Sequence, residues 1–162
     1  MRLLAEGRCR QLADIPPVGP IAASTDPAIL DEADLVLLVV PVGATAATIE
    51  TAHRRTGTEA PLVLCAKGMA MTADGARLMP ELADAMAPGR PSVLLSGPSF
   101  ADEVMRGLPA AVVAAGTDNA AVEMVQQSFQ ASQLRVYASD DPLGVAIGGT
   151  MKNVIAIAAG CA

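Results

Sequence analysis

Lys152 sits in a run, Gly144 to Gly160, whose other residues are almost all apolar or small, with Asn153 beside it. Read as a helix after Pro142, this run places Gly148, Lys152 and Ile155 on one face, because residues three and four apart are neighbours. Gly148 and Gly149 remove side chains one turn before the lysine, so another backbone or a ligand can come close. A lysine with so little polar company is costly to bury unless something anionic meets it. The plain alternative is a stem that covers the helix while its ammonium reaches water. A second cation, Lys67, stands with Gly68 after the apolar run Pro61 to Ala66. A third feature is Ser96-Gly-Pro-Ser-Phe-Ala-Asp-Glu103. There Gly97 permits a sharp turn, Pro98 stiffens it, and Ser99 with Asp102 has capping-box spacing onto a short helix. Free N–H groups at such a helix start can receive an anionic or hydroxylated ligand, or the residues can serve only the turn. Two lysines brought together lower one another's pKa, and burial acts in the same direction. A neutral amine can then take a proton from an alcohol while a charged partner holds the oxygen or a phosphate, as oxidation of a secondary alcohol by hydride transfer requires.

The elements that must position these groups alternate between strand and helix. Residues 1–13 read as a short helix, and 14–27, with four prolines, as a loop with one brief strand near Ile21. Leu35 to Val40 is a continuous apolar run closed by Pro41, the mark of a strand buried on both faces. A helix follows over 43–55, stopped by Gly57. Pro61 to Ala66 is a second buried strand, 74–87 a helix, and Ser92 to Leu95 a third strand. Ala110 to Ala115 and Leu134 to Tyr137 complete the strands, with an amphipathic helix over Asn119 to Gln130 between them. The expected fold is α/β, a doubly wound, Rossmann-like open sheet, with ligands outside the carboxyl ends of its strands. Lys67-Gly68 and Ser96 to Phe100 fall there.

Composition limits the function classes. Hydrophobic residues make up 52% of the 162 and aromatics only 2%, so the core must be built from Ala, Val, Leu and Ile. That suits parallel strands under helices. The net charge of −6 argues against a nucleic-acid surface. No stretch reads as a membrane span and the start has no signal-peptide layout, so the chain is expected to be cytoplasmic. Cys9, Cys65 and Cys161 lack metal-ligand spacing, and the lone His53 beside Arg54 and Arg55 reads as a solvated helix residue. No metal site is expected.

Together, Leu64-Cys-Ala-Lys-Gly68, Leu95-Ser-Gly-Pro-Ser-Phe-Ala-Asp-Glu-Val104 and Gly148-Gly-Thr-Met-Lys-Asn-Val-Ile-Ala-Ile-Ala-Ala-Gly160 resemble the bacterial NAD(P)-dependent glycerol-3-phosphate dehydrogenases. Arg135-Val-Tyr137 and Asp34 before its strand also fit. The resemblance covers essentially the whole chain, and its last two motifs are the specific ones. It implies reversible oxidation of glycerol 3-phosphate to dihydroxyacetone phosphate with NAD or NADP, feeding phospholipid synthesis. It further implies Lys152 as the general acid/base that also contacts substrate, Lys67 in contact with both cofactor and substrate, and Gly97 and Ser99 lining the substrate. Ala101 would border the dinucleotide, and Asn153 would orient the neighbouring helix.

The departures are as informative. The sequence has no GxGxxG, so the strand, glycine turn and helix that cradle a pyrophosphate are missing from it, and Val42 stands where the family commonly has a small hydroxyl residue. Val154 to Ala162 is apolar without a polar cap. The chain therefore reads as an N-terminally truncated piece of a larger protein. Residues 1–141 would be an incomplete NAD(P)-binding domain, and 142–162 the first helix of a missing C-terminal domain. Alone it is expected to be inactive; a homodimer of the full-length protein stays open. Two alternatives also stay open: a related β-hydroxyacid dehydrogenase, in which the asparagine follows the lysine by a full turn, and a non-catalytic α/β interaction module.

Overall fold

The computed structural model describes residues 21–161. The expected helix over 1–13 and the loop over 14–20 lie outside them. In chain order the elements are β1 (Val36–Leu38), α1 (Val42–Arg55), β2 (Leu62–Leu64), β3 (Met69–Thr72), β4 (Gly75–Leu78) and α2 (Met79–Met86). They continue as β5 (Ser92–Ser96), α3 (Ala101–Met105), β6 (Ala110–Ala115), α4 (Asn119–Ser128), β7 (Leu134–Ser139) and α5 (Pro142–Gly160).

Five strands make the main sheet in the order β1-β2-β5-β6-β7. β1, β2 and β5 are parallel, with Leu38 level with Leu64 and Leu64 with Leu94. Alternation along each strand sends side chains to opposite faces. Leu62, Leu64 and Leu94 therefore pack with Ile49 of α1, Met79 of α2 and Ala146 of α5. Val63 and Val93 face the other way, against Ala114, Val122 and Val125 under α4. Helices on both faces are the doubly wound, Rossmann-like arrangement expected.

Several expectations need correction. β6 runs antiparallel to β5, so the sheet is mixed. The five-residue α3 does not carry the chain across the sheet, and β6 starts at the edge where β5 ends. β1 is not buried on both faces, for Leu37 is 42% exposed, since α4 covers its side of the sheet only further in. The helix expected over 74–87 is a two-stranded hairpin, β3 and β4, followed by the shorter α2. Gly75, at φ 117°, follows Asp74 in the tight turn, and Thr72 Oγ1 donates to Gly75 O at 2.8 Å. α2 starts only at Met79, where Pro80 fits the first turn and Glu81 accepts the Leu78 N–H at 2.8 Å. Ile21 lies in no strand and is largely exposed, whereas His53 is half-buried with an unpartnered Nδ1. The 19-residue α5, with a mean hydropathy of 1.4, also meets the length and composition of a membrane span, which the sequence reading had denied to every stretch. Apolar helices that pack on protein meet the same description.

One buried cation ties the frame together. Arg90, 4% exposed, lies just before β5. Its Nε donates to Ala60 O at 2.8 Å and its Nη1 to Ala52 O at 3.2 Å, while Nη2 donates to Thr56 Oγ1. Ala52 and Thr56 belong to the carboxyl end of α1, where helix carbonyls favour a cation. Burial pushes the guanidinium pKa down, yet arginine stays charged. Arg90→Met would strip three donors from enclosed acceptors and should lower stability by about 2–4 kcal/mol in urea unfolding. Arg90→Lys should recover only part of this, because an ammonium cannot fork between the acceptors. A loss under about 0.5 kcal/mol for Arg90→Met would mean that water replaces the guanidinium.

Candidate active site

The antiparallel β6 decides where α5 runs. β7 is parallel to β6 and so ends beside the amino end of β5, where Gly116 N donates to Ser139 O at 3.1 Å. There Asp141 caps the next helix, its carboxylate accepting the Gly144 N–H at 2.7 Å, with Pro142 in the first turn. α5 then passes along β5 and buries Ala146 against the sheet. At the carboxyl end of β5 it meets Ser96 at Gly149. A Cβ there would lie 2.9 Å from Ser96 Oγ and 4.0 Å from Lys67 Cγ, closer to the hydroxyl than side chains come. Beyond this contact, residues 151–160 are all exposed.

The same rim receives the ends of β2 and β5. Lys67, three residues past β2, donates from Nζ to Gly97 O at 2.8 Å. Gly97 is itself pressed onto β6: an added Cβ would stand 2.7 Å from Val112 Cα and 2.8 Å from Ala111 O. Lys67, Ser96, Gly97, Gly149 and Lys152 share a recess of about 220 Å³, closed by Pro98, Val113, Val145 and Gly148. Gly68, at φ 136°, opens the neighbouring rim, where a Cβ would press on Val42 Cγ2 at 3.1 Å. A larger hollow of about 530 Å³ between α4 and β7 shares no residue with this recess. The candidate site is assigned to the smaller one, because two cations and the segments that follow β2 and β5 converge there.

Of the residues singled out in the sequence, Lys67, Gly97 and Lys152 come together. Ser99, on the exposed turn after Pro98, and Ala101, the exposed first residue of α3, lie outside the recess wall. Asn153, next along α5, is exposed as well. The expected capping box is not formed, because α3 starts at Ala101 with Phe100 as its cap and no side-chain bond. Ser99 therefore sits one position too early to cap. Ser96 and Gly149 were missed as a contact pair. The glycine doublet signalled a close approach, but nothing in the sequence said to what.

The lysines differ in surroundings. Lys67 has its pKa lowered, first by desolvation and then by the Lys152 charge, with a smaller opposing pull from Cys65. Burial pushes the Cys65 thiol up, and Lys67 partly offsets it. Lys67 should therefore be neutral over a wider pH range than an ordinary lysine. Lys152→Met should move the Lys67 midpoint upward while leaving the depression caused by desolvation. Carbon-13 NMR titration of lysine-labelled protein would show this directly. A Lys67 midpoint unmoved by Lys152→Met would mean that the two ammonium groups do not interact.

Comparison of the sequence and fold with known proteins identifies a family. Residues 10–122 match the family model described as the NAD-dependent glycerol-3-phosphate dehydrogenase N-terminus. A glycerol-3-phosphate dehydrogenase [NAD(P)+] of Mesorhizobium japonicum is 46% identical over 139 residues, 86% of this chain and 40% of that protein. That of Acidiphilium cryptum is 47% identical over 129 residues, 80% of this chain and 39% of its own length. The crystal structure of glycerol-3-phosphate dehydrogenase from Coxiella burnetii superposes with a TM-score of 0.88 at 30% identity, over 98% of this chain and 49% of that one. The Dunaliella salina structure, at 23% identity and a TM-score of 0.79, shares the fold. The chain thus spans about 40% of the length of the curated relatives it matches. It belongs to the NAD-dependent glycerol-3-phosphate dehydrogenase family, in the part that family's N-terminal model describes.

Proposed function

We propose that this chain carries the catalytic lysine and the nicotinamide side of the active site of a cytoplasmic NAD(P)-dependent glycerol-3-phosphate dehydrogenase. The enzyme would interconvert sn-glycerol 3-phosphate and dihydroxyacetone phosphate. The supporting observation is the convergence of Lys67 and Lys152, far apart in sequence, on one recess at the carboxyl ends of the strands. Residues 21–141 would form the dinucleotide-binding part. α5 would open a second, helical part, a reading supported by the exposure of residues 151–160.

The residues present fit the nicotinamide end of a dinucleotide: the Lys67 ammonium, backbone free of side chains at Gly68 and Gly97, and the small, exposed Ala101. When bound, the nicotinamide supplies the hydride. In the reducing direction Lys152 would donate a proton to the C2 oxygen of dihydroxyacetone phosphate, and it would take the proton back when the alcohol is oxidised. Lys67, fixed by its bond to Gly97 O, would hold substrate and cofactor in register. The turn at Gly97 and Ser99 would line the substrate, and the apolar wall of Pro98, Val113 and Val145 would limit water at the reacting atoms.

In an enzyme carrying this segment, Lys152→Met should cut kcat for dihydroxyacetone phosphate reduction by roughly 100- to 10,000-fold. Turnover near that of the parent would remove Lys152 from the chemistry. Ser99→Ala separates contact from scaffold. Because Ser99 makes no cap, it should leave stability within about 0.5 kcal/mol. The KM for glycerol 3-phosphate should nevertheless rise, and an unchanged KM would exclude Ser99 from the substrate wall.

A further inference from the structure

Among the described residues β7 (Leu134–Ser139) is an edge of the five-stranded sheet, with β6 on one side and no strand on the other. Its backbone groups divide by alternation. Ala110 N donates to Gln133 O at 3.3 Å and Gly116 N to Ser139 O at 3.1 Å, so the odd-numbered residues turn toward β6. Leu134, Val136 and Ala138 then direct their N–H and C=O outward, the row by which a sheet edge pairs with another strand. Two of these groups have side-chain partners: Gln126 Nε2 donates to Val136 O at 2.9 Å, and Leu134 N donates to Ser132 Oγ at 3.1 Å. The side chains divide too. Val136 packs into the core under α4, which sends Arg135 and Tyr137 to the opposite face. Both are exposed, and Tyr137, 58% exposed, is the only tyrosine in the sequence. The hollow of about 530 Å³ between α4 and β7 flanks this edge.

We propose that β7 is a self-pairing edge: a second copy of this chain adds its own β7 antiparallel, about a twofold axis at Val136, and joins two sheets into one. Outward residues of two copies can face one another in several registers, and the side chains separate them. An axis at Arg135 sets the two guanidinium groups opposite each other, a like-charge pair. An axis at Tyr137 places Leu134 opposite Asp140, beyond the strand. An axis at Val136 pairs Leu134 with Ala138 and Val136 with itself, so every outward residue of the strand meets another. It also sets Arg135 opposite Tyr137 twice, at non-hydrogen-bonded positions where Cα atoms stand about 4.5 Å apart. A guanidinium over a tyrosine face is an attractive pair. Asp140 then falls opposite Ser132, so no like charges oppose each other in the ladder. Val136 O has a second lone pair for the incoming strand, and the Leu134 N–H exchanges the Ser132 hydroxyl for a carbonyl. β7 shares no residue with the recess of Lys67 and Lys152, so the pairing stands or falls apart from the dehydrogenase reading.

The test is sedimentation equilibrium of the 162-residue chain over a wide concentration range, with far-UV circular dichroism verifying the fold of each variant. The parent should form dimers. Tyr137→Arg sets two Arg–Arg oppositions in place of two Arg–Tyr pairs and should weaken the dimer at least about tenfold. Adding Arg135→Glu to that variant places opposite charges across the axis and should restore it. Disulfide exchange then reads the register, in a background carrying Cys9→Ser, Cys65→Ala and Cys161→Ser. Arg135→Cys mixed with Tyr137→Cys should cross-link under mild oxidation, since the mixed dimer keeps one Arg–Tyr pair while its two thiols stand opposite. Arg135→Cys alone should cross-link several-fold less, because its two thiols lie on the diagonal, with Cα atoms about 7–8 Å apart and beyond disulfide reach. A monomer at every concentration would overturn the proposal and leave Arg135 as a guard that keeps the edge unpaired. Association unchanged by Tyr137→Arg would overturn it too, and would assign the contact to the exposed residues 151–160 of α5. So would equal cross-linking of Arg135→Cys alone and of the mixture.

Discussion

The close approach of α5 to the end of β5 is the contact on which the site depends. It exists because residue 149 has no side chain: any Cβ would be driven against Ser96 Oγ. The constraint reaches outward in both directions. Gly97, immediately after Ser96, is held against the backbone of β6, and its carbonyl holds the Lys67 ammonium. One turn past Gly149 comes Lys152. Two glycines from distant parts of the chain thus set how close two cations stand, and neither is a chemical group itself.

The chain uses its two kinds of strong base for different tasks. Arg90 is enclosed and satisfied by backbone and hydroxyl oxygens, with three directions filled by one planar group. Such a site needs a charge that persists and a fork that spans several acceptors. Lys67 has one protein acceptor, partial exposure and a second cation for company. That environment lowers its pKa and leaves its charge less firmly fixed than that of Arg90. Exchanging the two residue types would leave the net charge unchanged and spoil both sites.

Much of the fold was legible because periodicity reports burial. Leu62 to Leu64 and Ala110 to Ala115 are strands where unbroken apolar runs stood, and α5 begins at Pro142 as expected. The hairpin was hidden because Met69 to Leu78 has no clean alternation and its Met-Ala-Leu content suits a helix. The Asp74-Gly75 turn, a hairpin signal, was outweighed. The direction of β6 was not legible, since strand polarity depends on how the connection crosses the sheet and not on the strand's own residues. In the site, the lysines stood out by their isolation among apolar residues. Ser96 did not, because a serine ending a strand looks like any turn residue until a helix lands on it.

The mounting of α5 has a mechanical consequence. Its first two turns rest on the sheet up to Gly149, and residues 151–160 beyond them are exposed. A rod held at one end pivots about its last support. At about 1.5 Å per residue, Lys152 is only about 4.5 Å beyond that fulcrum, while Gly160 is about 16 Å out. A tilt of about 10° would then shift the Lys152 backbone by under about 1 Å but sweep the far end through about 3 Å. Placing the lysine at the root of the lever lets the outer helix follow whatever it leans on while the spacing of the two amines hardly changes.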